Sequence, residues 1–303
     1  MVEKPDHRLT LTAPDGFNLV RSLGSLKASL YRGQIESTFS TVSKSSRTPD
    51  GVGTIRFEQT DLQIVCSMWG PGSAWLGAHA ETMLGFHDNP ASFRPQHRTL
   101  RELQKRSAGA HWGRTDRVME ALIPAIIGQK VTARGAVRSM RALARVHGSA
   151  APGPQQTWLL PTNECLAELP YYEYHRFDIE KKRADTLRGV ASRHDRLERL
   201  TSDPIPEAYR VLQAFRGVGP WTAALVAGVA LGDTDAVPVG DYHIPNTVAW
   251  NLAGEERADD ARMLELLEPY MGHRGRVIRW LEASGVKAPA YGPKNSVRSI
   301  RGQ

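Results

Sequence analysis

A change of rhythm near residue 116 constrains this chain more than any other feature. Before it, apolar and polar residues alternate in the short runs RLTLT (8–12), STFSTVS (37–43), GTIRFEQ (53–59) and LQIVCSM (62–68), as half-buried strands require. Two amphipathic stretches, Phe17 to Leu26 and Ala74 to Phe86, read as helices packed on that sheet. Beyond residue 116 the strand signal vanishes, and apolar residues recur at the three- and four-residue spacing of helices. The expected fold is an α+β N-terminal domain, a small antiparallel sheet with helices, over residues 1–110. An all-α core over 111–287 and a basic, flexible tail over 288–303, carrying Lys294, Arg298 and Arg301, complete it.

Punctuation places the helices. One begins near Asp116 and is disturbed by Pro124; after the turn Gly128–Gln129–Lys130, Thr132 caps another that runs to Gly148. The segment SAAPGPQQT (149–157) has no apolar period and reads as a loop or linker. Helices resume from Asp178 or Glu180 to His194, from Glu207 to Phe215 and from Pro220 to Gly232. A final pair lies between Asp259 and Leu281, split near Pro269 to Gly272.

Composition narrows the function. With 303 residues, 41% of them hydrophobic, the chain has length for two or three domains and a core that needs no staples. The only cysteines, Cys66 and Cys165, match no disulfide, zinc or iron–sulfur spacing, so a reducing cytoplasm is the expected setting. The start MVEKPDHRLT lacks the apolar run of a secretory leader, and no stretch approaches the ~18 residues that cross a bilayer. A formal charge of +7 favours a polyanion, nucleic acid ahead of membrane because no basic amphipathic anchor stands out. A merely solvated basic surface is the alternative. No Walker motif or nucleotide-binding glycine fingerprint is present, so no nucleotide cofactor is expected.

The most informative stretch is LQAFRGVGPWTAALVAGVALGD (212–233). A helix ends at Phe215, a turn follows, and Pro220 opens the next helix where a missing N–H costs nothing. Gly217 and Gly219 allow a tight backbone that presents N–H groups beside a helix N-terminus, suited to a phosphate, and Thr222 can add a hydroxyl. A plain αα-corner is the blander reading. Downstream, in AVPVGDYHIPN (236–246), Asp241 follows a short apolar run and a glycine; it caps the next helix, does chemistry, or both.

Five segments, in order, carry a resemblance: IIGQKVTARGAV (126–137), KKRADTLRGVA (181–191), LQAFRGVGPWTA (212–223), VGDYHIPN (239–246) and EPYMGHRGRV (268–277). Together they resemble the helix–hairpin–helix DNA glycosylase superfamily, and within it the bacterial 3-methyladenine DNA glycosylase II branch. The resemblance covers most of the chain and makes Asp241 the catalytic residue. Breaking a C1′–N bond leaves cationic character on the sugar, which a carboxylate stabilises while it positions or deprotonates a water. Trp221 stands where strand-nicking relatives hold a lysine, which implies a monofunctional enzyme whose product is an abasic site.

The same resemblance implies a base pocket of Trp221, Leu225, Tyr242 and Tyr270, electron-rich walls that suit cationic alkylated purines. For Trp221, simple core packing is the alternative. Leu225 replaces an aromatic found in some relatives, which keeps open a deaminated or oxidised base, or a DNA-binding module without turnover. Gln129 or Lys130 is the implied minor-groove wedge, against an interhelical hydrogen bond for Gln129 and a phosphate contact for Lys130. Gly217, Gly219, Thr222, His273 and Arg274 are the other implied DNA contacts. A structural monovalent cation, Na or K, is implied on the main-chain carbonyls of Gln213, Phe215 and Val218, with no other cofactor required. The expected partner is double-stranded DNA with damaged bases, met by a cytoplasmic, nucleoid-associated monomer.

Overall fold

The alternating runs form a five-stranded antiparallel sheet in a computed structural model that describes residues 3–24, 35–38, 40–155 and 157–289. Leu26, Phe39 and the tail lysine and arginines lie outside the described residues. Spatial order is β1 (His7–Thr12), β5 (Gln63–Trp69), β4 (Gly51–Thr60), β3 (Thr41–Thr48) and β2 (Ile35–Ser37). The run at 37–43 is therefore not one strand but the end of β2 and the start of β3, joined where the Thr38 N–H donates to the Thr41 carbonyl at 2.9 Å and their hydroxyls meet at 2.6 Å. The stretch from Ala74 to Phe86 is two short helices, α2 (Ser73–Ala78) and α3 (Ala80–Leu84), after α1 (Leu19–Gly24). They part at His79, whose Nδ1 lies 2.9 Å from the Trp75 carbonyl while its ring stacks on the indole at 3.7 Å.

Strand β3 departs most from its sequence. The alternation in STFSTVS implies a half-buried strand, yet β3, TVSKSSRT, is buried along nearly all its length. The supposed linker at 149–157 covers it: the Ser45 hydroxyl lies 2.7 Å from that of Thr157, and the Gln155 amide donates to Ser43 Oγ at 3.0 Å. Short strands β6 (Ser149–Ala150) and β7 (Trp158–Leu159) pair across this segment, so strand structure does occur after residue 116. Beneath β3, Lys44 pairs with Glu120 at 2.7 Å, and Ser46 Oγ and the Arg47 N–H donate to the same carboxylate at 2.6 and 2.9 Å. Lys44 and Glu120 are 3% and 8% exposed. Burial elsewhere in the sheet pushes the Cys66 thiol up to about 12, so it stays protonated.

Glu120 belongs to α5 (Val118–Gly128), following α4 (Arg98–Arg106). Pro124 does not break α5: all its residues but Gly128 are buried, and packing outweighs one lost backbone bond. Thr132 caps α6 (Ala133–His147), its Oγ1 accepting from the Gly135 N–H at 3.1 Å. Sheet and middle helices share one buried cluster, in which Ile55, Phe57 and Ile64 join Leu122, Ile126, Leu187 and Val226. A second cluster joins Phe93, Leu100 and Leu103 to Ile244, Val248, Met263, Leu267, Val277 and Leu281. Helix α4 thus packs with the end of the chain, although it precedes α5 in sequence. Among the described residues no helix is long and apolar enough to cross a membrane.

Candidate active site

The hairpin packs into the first cluster through Val218, Ala223 and Val226. Helix α11 (Ile205–Gln213), which follows α7 (Asn163–Glu168), α8 (Tyr171–His175), α9 (Lys181–Ala191) and α10 (His194–Glu198), leads into a turn closed by the Val218 N–H donating to the Phe215 carbonyl at 3.0 Å. The turn then enters α12 (Pro220–Val226). Gly217 has φ +89°, and a Cβ there would lie 2.1 Å from Thr186 Oγ1, so only glycine fits. Gly219 differs: its φ is −97° and a Cβ would meet nothing within 4 Å. Gly219→Ala is therefore expected to melt like the parent while binding damaged and undamaged duplexes more weakly by a similar factor, since the methyl group obstructs only an approaching phosphate. Equal affinity in a fluorescence-anisotropy titration would remove this turn from the DNA interface.

Gln129 turns inward. Its amide donates to the Gly217 carbonyl at 2.9 Å and to Thr222 Oγ1 at 2.8 Å, so the interhelical hydrogen bond is the arrangement present. This also corrects the reading of Thr222, which is 1% exposed with its hydroxyl engaged by Gln129, and cannot reach a phosphate. Lys130 points the other way: it is exposed at the apex of the turn, with φ +56°, a conformation uncommon for a lysine.

Asp241 enters from the second cluster. Gly240, at φ +92°, turns the chain just before α13 (Ile244–Ala253). Asp241 Oδ1 accepts from the His243 and Ile244 N–H groups at 2.7 and 3.0 Å, which caps α13 and fixes the carboxylate. Oδ2 accepts from Trp221 Nε1 at 2.8 Å. Neither side chain is fully buried, so the pair stays open to a ligand. One turn along from half-buried Trp221 comes Leu225, also half-buried, and then Gly228 in the π-helical turn Ala227–Leu231 that continues α12.

Three residues that no local motif marks bear on this helix or on Asp241. The Gly228 carbonyl accepts from Trp112 Nε1 at 3.0 Å and from an Arg279 Nη at 3.1 Å, and the Arg279 guanidinium lies over the Trp112 ring at 3.2 Å. Desolvation, then the Arg276 charge, pull Arg279 down to about 9, still protonated at neutral pH. Glu282 follows Arg279 by one turn on α15 (Arg274–Ser284), which comes after α14 (Asp260–Leu267). Glu282 is exposed as a residue, but its carboxyl is desolvated; that, and next the Asp241 charge, raise its pKa against the pull of Arg279.

The other expected contacts are placed elsewhere. Tyr242 is 81% exposed, its ring edge-on to His243 at 4.9 Å, too open to wall a pocket. Tyr270 packs against Phe93 at 6.0 Å within the second cluster. Arg274 is spent on Asp235, to which its backbone N–H and Nε donate at 3.0 and 2.9 Å. His273 has both ring nitrogens engaged, with Ser92 Oγ at 3.2 Å and Arg276 Nε at 3.3 Å. Desolvation, then the Arg276 charge, lower its pKa, which favours the neutral ring over a phosphate-binding cation. Among the described residues no group of three His, Cys, Asp or Glu could hold a metal ion.

Comparison with solved structures gives the architecture its name. A 3-methyladenine DNA glycosylase from Archaeoglobus fulgidus superposes with a TM-score of 0.76 at 18% identity, over 90% of this chain and 96% of that one. The chain has the helix–hairpin–helix DNA glycosylase fold. An 8-oxoguanine glycosylase/lyase from Clostridium acetobutylicum shares it at TM-score 0.66 and 15% identity, over 93% and 98% of the two chains. The 3-methyladenine DNA glycosylase Mag1 of Schizosaccharomyces pombe, in complex with abasic DNA, gives 0.53 at 16% identity, over 65% and 96%. In sequence, 123 residues are 26% identical to the "Putative DNA-3-methyladenine glycosylase YfjP" of Bacillus subtilis, 38% of this chain and 43% of that protein. The match thus spans less than half of that relative. No family model matches the chain.

Proposed function

We propose that this protein is a monofunctional DNA N-glycosylase that excises alkylated purines of the 3-methyladenine and 7-methylguanine type from duplex DNA. The observation that carries this reading is the Asp241 carboxylate held at the hairpin by an indole, at the position where strand-nicking relatives hold a lysine. With the base flipped out, the C1′–N bond breaks and its electron pair leaves with the base. Asp241 stabilises the cationic sugar, a water adds to C1′, and the proton it loses passes to the carboxylate or to solvent. Lys130 fills the hole in the duplex, and the hairpin N–H groups hold a phosphate. The enzyme acts in the cytoplasm as a monomer.

A monovalent cation on the carbonyls of Gln213, Phe215 and Val218 belongs to this reading. The turn suits one in part: the Phe215 carbonyl already accepts from Val218 and keeps a second lone pair.

A lesion duplex incubated with the protein should release the base and yield a strand that breaks only after hot alkali, with no complex trapped by borohydride. Nicking under a mild quench, with a trapped adduct lost in Lys130→Ala, would replace water attack by lysine chemistry.

A second reading, excision of a deaminated or oxidised purine, is favoured by Arg279 over Trp112. This guanidinium, held on the Gly228 carbonyl just beyond Leu225 in the chain, would repel a cationic base. Release of hypoxanthine or 8-oxoguanine in preference to 7-methylguanine from otherwise identical duplexes would select it. Release of none would leave a binding module.

A further inference from the structure

The Trp221 indole does more than occupy the place of a lysine. Its Nε1–H reaches from α12, whose Ala223 and Val226 belong to the first buried cluster, to Asp241, which caps α13, whose Ile244 and Val248 belong to the second, at 2.8 Å. The two N–H groups on Oδ1 fix one end of the carboxylate, and the indole fixes the other, so three donors set its plane. On its far edge the ring faces the turn that carries Lys130, where a Cβ added to Gly128 would come into ordinary van der Waals contact with Trp221 Cη2 at 4.0 Å. The next residue of that turn, Gln129, is bonded to Thr222, the neighbour of Trp221. Turn, indole and carboxylate therefore form one connected unit.

We propose that Trp221 is a positioning residue: its N–H orients the Asp241 carboxylate toward C1′ and ties that orientation to the turn that carries Lys130. The proposal rests on Asp241 being the catalytic carboxylate. It differs from a pocket-wall role, because a wall uses the face of the ring and needs no N–H, whereas positioning needs the N–H and leaves lesion affinity to other groups.

Trp221→Phe keeps an aromatic ring and removes the donor. Its single-turnover excision rate on a 7-methylguanine or hypoxanthine duplex, whichever the parent processes, should fall about 10- to 100-fold, the range for one hydrogen bond to a charged group. Its affinity for the same duplex should stay within about twofold. The bond is read independently in the ¹⁵N-labelled full-length protein, where the indole resonance absent from Trp221→Phe is the Trp221 signal. That resonance should move in Asp241→Asn and stay in place in Tyr242→Phe, and Gly128→Ala should move it too, because the added methyl would touch the ring edge. If Trp221→Phe fails to fold, the signal is assigned by its joint response to Asp241→Asn and Gly128→Ala. An indole resonance indifferent to Asp241→Asn would overturn the proposal, as would a full excision rate with weakened lesion affinity in Trp221→Phe. If instead Asp241→Asn excises normally while the indole resonance moves, the bond stands and the catalytic assignment falls.

Discussion

Asp241→Asn should slow base excision by about 10² to 10³-fold, the range for removing one preorganised electrostatic group from a transition state. The substitution deletes the charge that faces the developing sugar cation and nearly preserves shape. It also changes the local hydrogen bonding in a way the structure specifies. The carboxylate takes two backbone N–H groups on Oδ1 and an indole N–H on Oδ2, whereas an amide has one oxygen and an NH2 that no donor can satisfy. The amide oxygen should keep the helix cap, leaving the indole opposed by another donor. A modest drop in melting temperature is therefore expected alongside a large loss of rate, with duplex affinity retained. Affinity and single-turnover rate, measured on one preparation, separate these effects. Excision within a few-fold of the parent would move the chemistry away from Asp241.

The largest effect on stability is expected at Glu120→Gln. It leaves the Lys44 ammonium buried between β3 and α5 without its counter-charge, which costs about 3 to 5 kcal/mol. The pH dependence has a definite sign. Desolvation raises the Glu120 pKa, but the Lys44 charge and the hydrogen bonds from Lys44 and Ser46 outweigh it, and the net shift is downward. A depressed carboxyl pKa contributes stability that is complete above the ordinary glutamate range and is lost as pH falls through the folded-state value. Parental stability should thus fade in acid, and Glu120→Gln should flatten that part of the profile. The double variant Lys44→Met with Glu120→Leu should recover only part of the loss, because it removes both buried charges together but leaves the Ser46 hydroxyl and the Arg47 N–H without their acceptor. Urea unfolding of the three proteins at neutral and acid pH decides it, and a Glu120→Gln cost under about 1 kcal/mol would make the pair dispensable.

Legibility followed the range of the interaction. Thr132 as a cap, Gly217 as the turn glycine and Pro220 as a first helical residue were readable because each depends on neighbours a few positions away. Asp241 as a helix cap was readable for the same reason; its bond to Trp221, twenty residues away, was not. The strand TVSKSSRT could not reveal that the segment at 149–157 covers it, since hydroxyl pairs such as Ser45 with Thr157 leave no period in either partner. Likewise Arg274 and His273 read as free basic groups until the fold brought Asp235 and Ser92 to them. Trp112 and Arg279 come from segments far apart in the chain, and only tertiary packing puts the cation over the ring.

The placement of α4 has a consequence for how the chain is made. Phe93, Leu100 and Leu103 emerge from the ribosome well before their partners, which run from Ile244 to Leu281. Throughout synthesis of the middle helices this apolar strip has no native surface to cover it, and a cut near residue 110 would strand it permanently. Contacts of such separation form late and slowly, because the loop between them must be closed before burial rewards it. Helices α13 to α15 therefore act as the latch over this strip, and nascent chains stalled before α15 are the species for which aggregation and chaperone dependence should be greatest.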